Sequence, residues 1–177
     1  MRNVALACIL GFSALMGVSA KAEKAPPPTI PYWSVWADHQ GVTHQTRCAL
    51  HNLALQDFAH TDHPEWVSQQ DHATKRYVFN IMPVGWIGNW HKNPEPQWII
   101  PLSGRWFVKT TDDKSVEMGA GEMSFGGDQA AKMINGRQGH ISGSVGNQPA
   151  KVLIIQLNAI PHNHAHPECA AGGSPIQ

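Results

Sequence analysis

The arrangement of hydrophobic and polar residues changes near residue 77. Beyond that point, short runs with alternating or continuous apolar positions are separated by Gly-rich or polar corners. Such runs predict β-strands, because successive side chains in a strand point to opposite faces of the sheet. The predicted strands cover residues 77–82, 97–102, 105–110, 116–118, 122–125, 139–145 and 151–157.

The pattern before residue 77 is mixed. Four apolar residues fit one face of a helix, but a polar residue interrupts that face, so a strand remains an open alternative. We therefore expect residues 32–76 to form an N-terminal extension that combines strand and helix. The four apolar residues are Leu50, Leu53, Ala54 and Phe58, and the interrupting residue is Asp57.

The many short strands with Gly-rich corners predict an all-β fold. The sequence contains no internal repeat and no alternation of strands with helical segments, which favours a β-sandwich or barrel. We expect this domain to span residues 77–160, with the extension before it and a His-rich tail at residues 161–177 after it.

Residues 1–20 are typical of a secretory signal peptide. Arg2 supplies a positive charge, residues 4–18 form an apolar run that is short for a membrane span, and small residues follow at the expected cleavage site. Cleavage would release a secreted or periplasmic chain with no membrane partner, whereas an uncleaved N-terminal anchor is the alternative. Residues 21–31 contain three consecutive prolines and predict an extended linker.

The overall charge argues against nucleic acid as a partner. The 177 residues include 13 basic and 13 acidic side chains, so the formal net charge is zero, and Lys and Arg form no run or stripe. Proteins that bind nucleic acid need a positively charged surface.

Two cysteines remain if the signal peptide is removed. Cys8 lies within the predicted signal, whereas Cys48 and Cys169 lie beyond it. In an oxidising compartment these two can form one intrachain disulfide, which would join the C-terminal tail to the segment before the predicted domain. Two free thiols are the alternative.

Polar residues recur at short intervals in the stretch GWIGNWHKNPEPQWIIPLSG, which begins at Gly85. His91 and Asn93 are two positions apart, so in an extended strand their side chains project from the same face. Gln97 follows after one bend. These three residues are therefore candidates for the wall of one polar pocket.

The segment 85–157 resembles the cupin family, whose fold is a small double-stranded β-helix or jelly roll. The first motif of that family places a Gly, a His-x-His pair, a Glu and a second Gly at set intervals. The present sequence keeps those intervals, with Asn in place of the second His and Gln in place of the Glu. The matching residues are Gly85, His91, Asn93, Gln97 and Gly104.

The second cupin motif normally brings one more His after a turn of the Gly-Asp type. Here the turn at residues 125–128 ends in Asp128, and the sequence Gly-His-Ile-Ser at residues 139–142 resembles the ending of this motif in one subgroup. Asp128 lies close enough in sequence to orient His140, or it serves only the turn.

In the intact family, three His and one Glu bind a divalent metal such as iron, manganese, nickel or zinc. The resemblance therefore implies His91, Gln97 and His140 as candidate ligands in this chain. The amide oxygens of Asn and Gln are weak ligands, and the replacement of Glu removes the anionic ligand. We therefore expect at most weak metal binding.

The resemblance implies an exported cupin that binds a small organic molecule in its barrel. His91 and His140 are the candidates for general acid and base, because imidazole exchanges protons near neutral pH. Asn93 and Gln97 would position the substrate by hydrogen bonds, with Asp128 beside them. This site suits isomerisation, cyclisation or elimination.

Several alternatives remain open at this stage. Trp90 and Trp98 flank the candidate set, where we expect them to wall the pocket and contact the substrate, with ordinary core positions as the alternative. The protein is alternatively a metal-dependent enzyme such as a dioxygenase, or a ligand-binding or sensing module without catalysis, because a fold does not determine a function. Since cupins often dimerise, the resemblance also suggests a homodimer.

Overall fold

The computed structural model describes residues 26–69, 73–161 and 163–176. The predicted signal peptide at residues 1–20 and the first part of the predicted linker lie outside the described residues. The described residues form twelve strands and one short 3-10 helix. The elements are β1 (Ile30–Ala37), β2 (Thr43–Leu50), β3 (Leu53–Gln56), β4 (Glu65–Ser68), β5 (Thr74–Met82), β6 (Gln97–Ser103), β7 (Arg105–Thr110), β8 (Ser115–Gly119), β9 (Met123–Gly127), β10 (His140–Val145), β11 (Ala150–Leu157), η1 (Pro167–Cys169) and β12 (Ser174–Pro175).

Two sheets pack face to face to form the body of the molecule. The larger sheet has seven strands in the order β12-β2-β1-β9-β6-β11-β5, and the smaller sheet has three in the order β10-β7-β8. Within the larger sheet β1 and β9 run parallel, whereas the other neighbours are antiparallel. Strands β3 and β4 form a separate hairpin. The predicted all-β class is confirmed, with two packed sheets as expected for a β-sandwich or barrel.

The hydrophobic core between the sheets follows from the alternation of side chains along the strands. Ile99 and Val152 point inward from the larger sheet and pack against Trp106, Val108 and Met118 of the smaller sheet. All five are nearly excluded from solvent. Burial of such side chains contributes about 1.5–3 kcal/mol each to folding, which makes this cluster the main cohesive force between the sheets.

The seven strands predicted beyond residue 77 are present, with ends that shift by up to three residues. The structure differs from the predicted domain boundary, because β1 and β2 of the expected extension are integral strands of the larger sheet. Strand β1 joins it through parallel pairing with β9, which lies roughly 90 residues later in the chain. The helix considered near residue 54 is absent from the described residues, where β3 and a turn occupy that place.

The described part of the C-terminal tail packs against the outer side of the larger sheet. Its last strand, β12, pairs with β2, and the predicted disulfide between Cys48 and Cys169 is present. Cys169 is fully buried in a second cluster with Tyr32 and Phe125. No helix among the described residues is long and apolar enough to cross a membrane.

Candidate functional site

A cavity of about 120 Å³ opens to solvent between the two sheets. Its floor is apolar and includes Val35, Ile99 and Val152 of the larger sheet and Val108 of the smaller sheet. This volume is smaller than the roughly 300–1,000 Å³ of drug-sized sites, so the cavity suits a compact ligand. The polar residues that line it are Asn80, His91, Asn93, Gln97, Ser124, His140 and Ser142.

His140 begins β10 and its side chain is almost completely buried at the cavity wall. Its Nδ1 atom lies 2.8 Å from Oδ2 of Asp128, which is fully buried in the loop after β9. A carboxylate only accepts hydrogen bonds, so Nδ1 carries the proton and Nε2 of the neutral ring keeps its lone pair. The contact between Asp128 and His140, which the sequence left open, therefore exists and fixes the tautomer of His140.

The second carboxylate oxygen of Asp128 is also engaged. Its Oδ1 accepts a hydrogen bond of 2.9 Å from the backbone N–H of Asn93 and one of 2.7 Å from the Asn93 side chain. Burial raises the pKa of Asp128, but the hydrogen bond and charge of His140 and the hydrogen bonds of Asn93 outweigh it and lower the pKa below its usual range. Asp128 is therefore a buried carboxylate at neutral pH.

His91 lies beside His140 and is held by the backbone. The N–H of each residue donates to the carbonyl oxygen of the other, at 2.9 Å and 2.8 Å, and the two ring centroids are 4.6 Å apart. Nδ1 of His91 lies 2.8 Å from the carbonyl oxygen of Asn89. Since a carbonyl oxygen only accepts, this ring also keeps its proton on Nδ1 and leaves Nε2 free of that bond.

Asn93 and Gln97 belong to a directional chain of hydrogen bonds that crosses the larger sheet. Nε2 of Gln97 donates to Oδ1 of Asn93 at 2.6 Å, and Nε2 of Gln156 donates to Oε1 of Gln97 at 2.8 Å. Nε of Arg76 then donates to Oε1 of Gln156 at 2.7 Å. This relay, defined as Arg76, Gln156, Gln97, Asn93 and Asp128, connects a surface guanidinium to the carboxylate that holds His140.

The relay gives a physical reason for amides at the two positions where cupins carry His and Glu. An amide side chain both donates and accepts, so Asn93 and Gln97 pass hydrogen bonds onward in one direction. A Glu at position 97 would have no N–H to donate to Asn93. The sequence analysis did not identify Gln156 and Arg76 as part of the site. Gln156 could have been identified as the one polar side chain that follows the apolar run of β11.

Two glycines allow the close contacts of the site. A Cβ on Gly126 would lie 2.3 Å from Nδ2 of Asn93, and a Cβ on Gly139 would lie 2.2 Å from the carbonyl oxygen of His91. Gly139 also has a φ of 74°, which side chains with a Cβ rarely adopt. Both positions therefore require glycine for packing against the site.

The structure places Trp90 and Trp98 away from the cavity, in contrast to their predicted position at its wall. Gln97 points into the cavity, so the next residue in β6, Trp98, points to the opposite face, where it packs edge-on against Tyr32 and Phe125. The guanidinium carbon of Arg137 lies over the ring of Trp90, 5.1 Å from the ring centroid. The tryptophans that line the cavity are Trp86 and Trp106.

The donor set does not fit the metal centre that the cupin resemblance implies. His91 and His140 offer two Nε2 atoms, but both ends of the Gln97 amide are bonded to Asn93 and Gln156. The carboxylate of Asp128 is turned toward Nδ1 of His140, and no group of three His, Cys, Asp or Glu among the described residues is arranged to hold a metal ion. Two imidazoles without an anionic ligand fall short of the usual site.

Comparisons with known proteins add little to this picture. No family model matches the chain, and no curated protein matches it. The fold is similar to the crystal structure of a putative ethanolamine utilization protein Q from Salmonella typhimurium, with 14% sequence identity and a TM-score of 0.36. That match covers 73% of this chain and 96% of the other.

Proposed function

We propose that this protein binds a small uncharged organic molecule in the cavity between its sheets and catalyses proton transfer on it. The observation that carries this proposal is the pair of neighbouring imidazoles, His91 and His140, each anchored through Nδ1 at the wall of one cavity. Anchoring of Nδ1 leaves Nε2 as the atom that exchanges a proton with the ligand.

The two imidazoles have different partners and therefore take different roles. His140 is bonded to a buried carboxylate, which stabilises the imidazolium that forms when Nε2 takes up a proton, so His140 is the base. His91 is bonded to a neutral carbonyl oxygen and, when protonated, donates from Nε2 as the acid. Base and acid on adjacent rings suit isomerisation, cyclisation or elimination, in which one proton leaves the substrate and another arrives.

The cavity lining supports an uncharged ligand. No Lys, Arg, Asp or Glu side chain is among the described residues that line it, and the floor is formed by Val and Ile side chains. An anionic ligand would meet no fixed cation there and would lie near the carboxylate of Asp128. A ligand with an apolar body and a hydroxyl or carbonyl group matches this lining.

Deuterium exchange at carbon tests catalysis whatever product the reaction yields. Uncharged hydroxycarbonyl compounds, such as acetoin and 2-hydroxycyclohexanone, are incubated with the protein in D2O and analysed by mass spectrometry. We expect protein-dependent incorporation of deuterium at carbon, reduced by about 10²–10⁴-fold in His140→Gln, the range of general acid–base contributions. His39→Gln, which changes an exposed imidazole away from the cavity, is the matched control and should retain exchange.

Other outcomes of this experiment contradict the proposal in distinct ways. A compound that raises the melting temperature but shows no exchange indicates a binding module without catalysis. Exchange that disappears after chelation and returns with iron, manganese, nickel or zinc indicates the metal-dependent alternative. Unchanged exchange in His140→Gln removes the assigned role of His140.

Export to the periplasm or medium is part of the proposal. It is supported by the signal-like N-terminus and by the Cys48–Cys169 disulfide, since such bonds persist in oxidising compartments. N-terminal sequencing of the protein recovered from cell fractions tests it, with a start near residue 21 expected in the exported fraction. Recovery of the intact N-terminus in the cytoplasm contradicts export.

A further inference from the structure

Strand β5 forms one edge of the larger sheet and is unusually open. It is nine residues long, eight of its residues are exposed, and no strand in the described part of the chain pairs with its outer edge. Natural edge strands are usually protected by Pro, by bulges or by charges, because free N–H and C=O groups recruit other strands. Residues 77–82 of β5 contain no Pro and no charged side chain.

The outer face of β5 is apolar and exposed. Asn80 and Met82 line the cavity, so the alternating residues Tyr77, Phe79 and Ile81 point away from it. These three side chains are 68%, 68% and 59% exposed. Half-buried Leu153 and Ile155 of the neighbouring β11 lie opposite Phe79 and Tyr77 and extend the patch.

We propose that β5 pairs with the β5 of a second copy of this chain, in an antiparallel arrangement about a two-fold axis at Val78. Two-fold dimers present the same surface from both subunits, so the strand must complement itself. About Val78, Tyr77 lies opposite Phe79 of the second copy, and Phe79 lies opposite its Tyr77. Aromatic pairs across strands are among the stabilising pairs in sheets.

The charges of β5 are compatible with this pairing. Its two cations, Lys75 and Arg76, both lie near the N-terminal end of the strand. The antiparallel arrangement about Val78 places Lys75 opposite Ile81 and Arg76 opposite Asn80 of the second copy. No two like charges face each other directly, whereas parallel pairing in register would bring each cation against its own copy.

The two aromatic side chains of β5 supply part of the area that a stable pair needs. If an aromatic side chain offers about 200 Å², the exposed fractions of Tyr77 and Phe79 amount to roughly 270 Å². Ile81 and the edge of the backbone add to this, toward the ~800 Å² that each partner contributes in a standard interface. The paired edges also satisfy the open N–H and C=O groups of both strands.

The proposed pairing of the two β5 strands also involves Arg76, the surface residue of the relay. Arg76 donates to Gln156 from the inner face of β5. In the dimer, Asn80 of the second copy would lie opposite Arg76. The dimer would therefore cover the guanidinium that begins the hydrogen-bond chain to Asp128.

Sedimentation velocity of the purified full chain from about 1 to 200 µM tests this proposal. We expect a reversible monomer–dimer equilibrium whose dissociation constant rises by about 100-fold in Phe79→Glu, because the carboxylate introduced in each copy would be desolvated against a ring of the other copy. Phe58→Glu is the matched control, since Phe58 is also 68% exposed but lies outside β5, and it should leave the constant unchanged.

A second variant and a second measurement keep the test decisive. Tyr77→Lys should weaken association in the same way if Phe79→Glu affects folding, which circular dichroism checks. Hydrogen exchange at the β5 amides should slow as the protein concentration rises through the dissociation constant. A chain that stays monomeric up to 200 µM, or a dimer that tolerates both substitutions, overturns the proposal.

Discussion

At the scale of single residues, the site depends on Asp128 more than on any residue that contacts the cavity. Its two carboxylate oxygens organise His140 and Asn93, and the side chain is fully buried. The resemblance to the cupin motifs indicated His91 and His140. The sequence also offered Asp128 as a possible partner of His140 but left that contact open, and it offered no partner for His91. That information depends on contacts between residues on different turns of the fold.

Asp128→Asn should destabilise the protein at neutral pH. The change replaces charge-assisted hydrogen bonds in a buried place, which we expect to lower the free energy of unfolding by about 2–3 kcal/mol. Chemical denaturation at pH 7 measures this difference. Glu117→Gln, at an exposed carboxylate, serves as the control and should change the free energy by less than about 1 kcal/mol.

The same substitution should change how stability depends on acid. The folded pKa of Asp128 is depressed, so its contribution to stability is fully present above the unfolded pKa of about 3.9 and is lost as pH falls through the folded pKa. The stability of the wild type should therefore decline more steeply below about pH 4 than that of Asp128→Asn. Parallel acid profiles for the two proteins would contradict this assignment.

At the scale of secondary-structure elements, the strands follow from local pattern and their pairing does not. The period-two alternation predicted the strands beyond residue 77, whereas the parallel pairing of β1 with β9 depends on backbone hydrogen bonds between distant segments. The relay likewise depends on contacts between distant segments, because Arg76 lies in β5, Gln156 in β11 and Gln97 in β6. No local window of sequence contains these three residues together.

Gln156→Leu should interrupt the relay. The substitution leaves Oε1 of the buried Gln97 without its donor, which we expect to cost about 1–3 kcal/mol of unfolding free energy. Urea denaturation measures this cost, and the side-chain amide resonances of Gln97 should shift. The exposed Gln148 provides a control, because Gln148→Leu breaks no buried hydrogen bond. Equal stabilities for the two variants would show that the relay has little energetic weight.

At the scale of the whole molecule, two connections determine the shape. The core between the sheets holds the cavity open at one side, and the disulfide joins β2 to the C-terminal segment across a sequence separation of 121 residues. The sequence proposed this pairing of Cys48 with Cys169 by counting cysteines. The described part of the tail beyond residue 160, expected as a separate segment, instead covers the outer side of the larger sheet.

Removal of the disulfide should loosen the tail before it unfolds the sheets. Closing a loop of this length stabilises a protein by about 4–5 kcal/mol in the chain-entropy model, and measured values are typically 2–4 kcal/mol. The double variant Cys48→Ala, Cys169→Ala should lower the melting temperature and raise hydrogen exchange at β12 and η1. Addition of dithiothreitol should reproduce this in the wild type but leave the variant unaffected. An unchanged melting temperature would contradict a stabilising role.

The sequence by itself determined the all-β class, seven strands beyond residue 77, the disulfide partners and the neighbourhood of His91, Asn93, Gln97 and His140. These features follow from alternation, from intervals within short stretches, from a count of cysteines and, for His140, from the resemblance to the second cupin motif. Tertiary structure alone decided which face of β6 carries Trp98, which partners fix the two imidazoles, and that Gln156 and Arg76 extend the site. The reason is that a hydrogen bond between strands depends on register and sheet order, and these are set by the packing of the whole chain rather than by any local pattern.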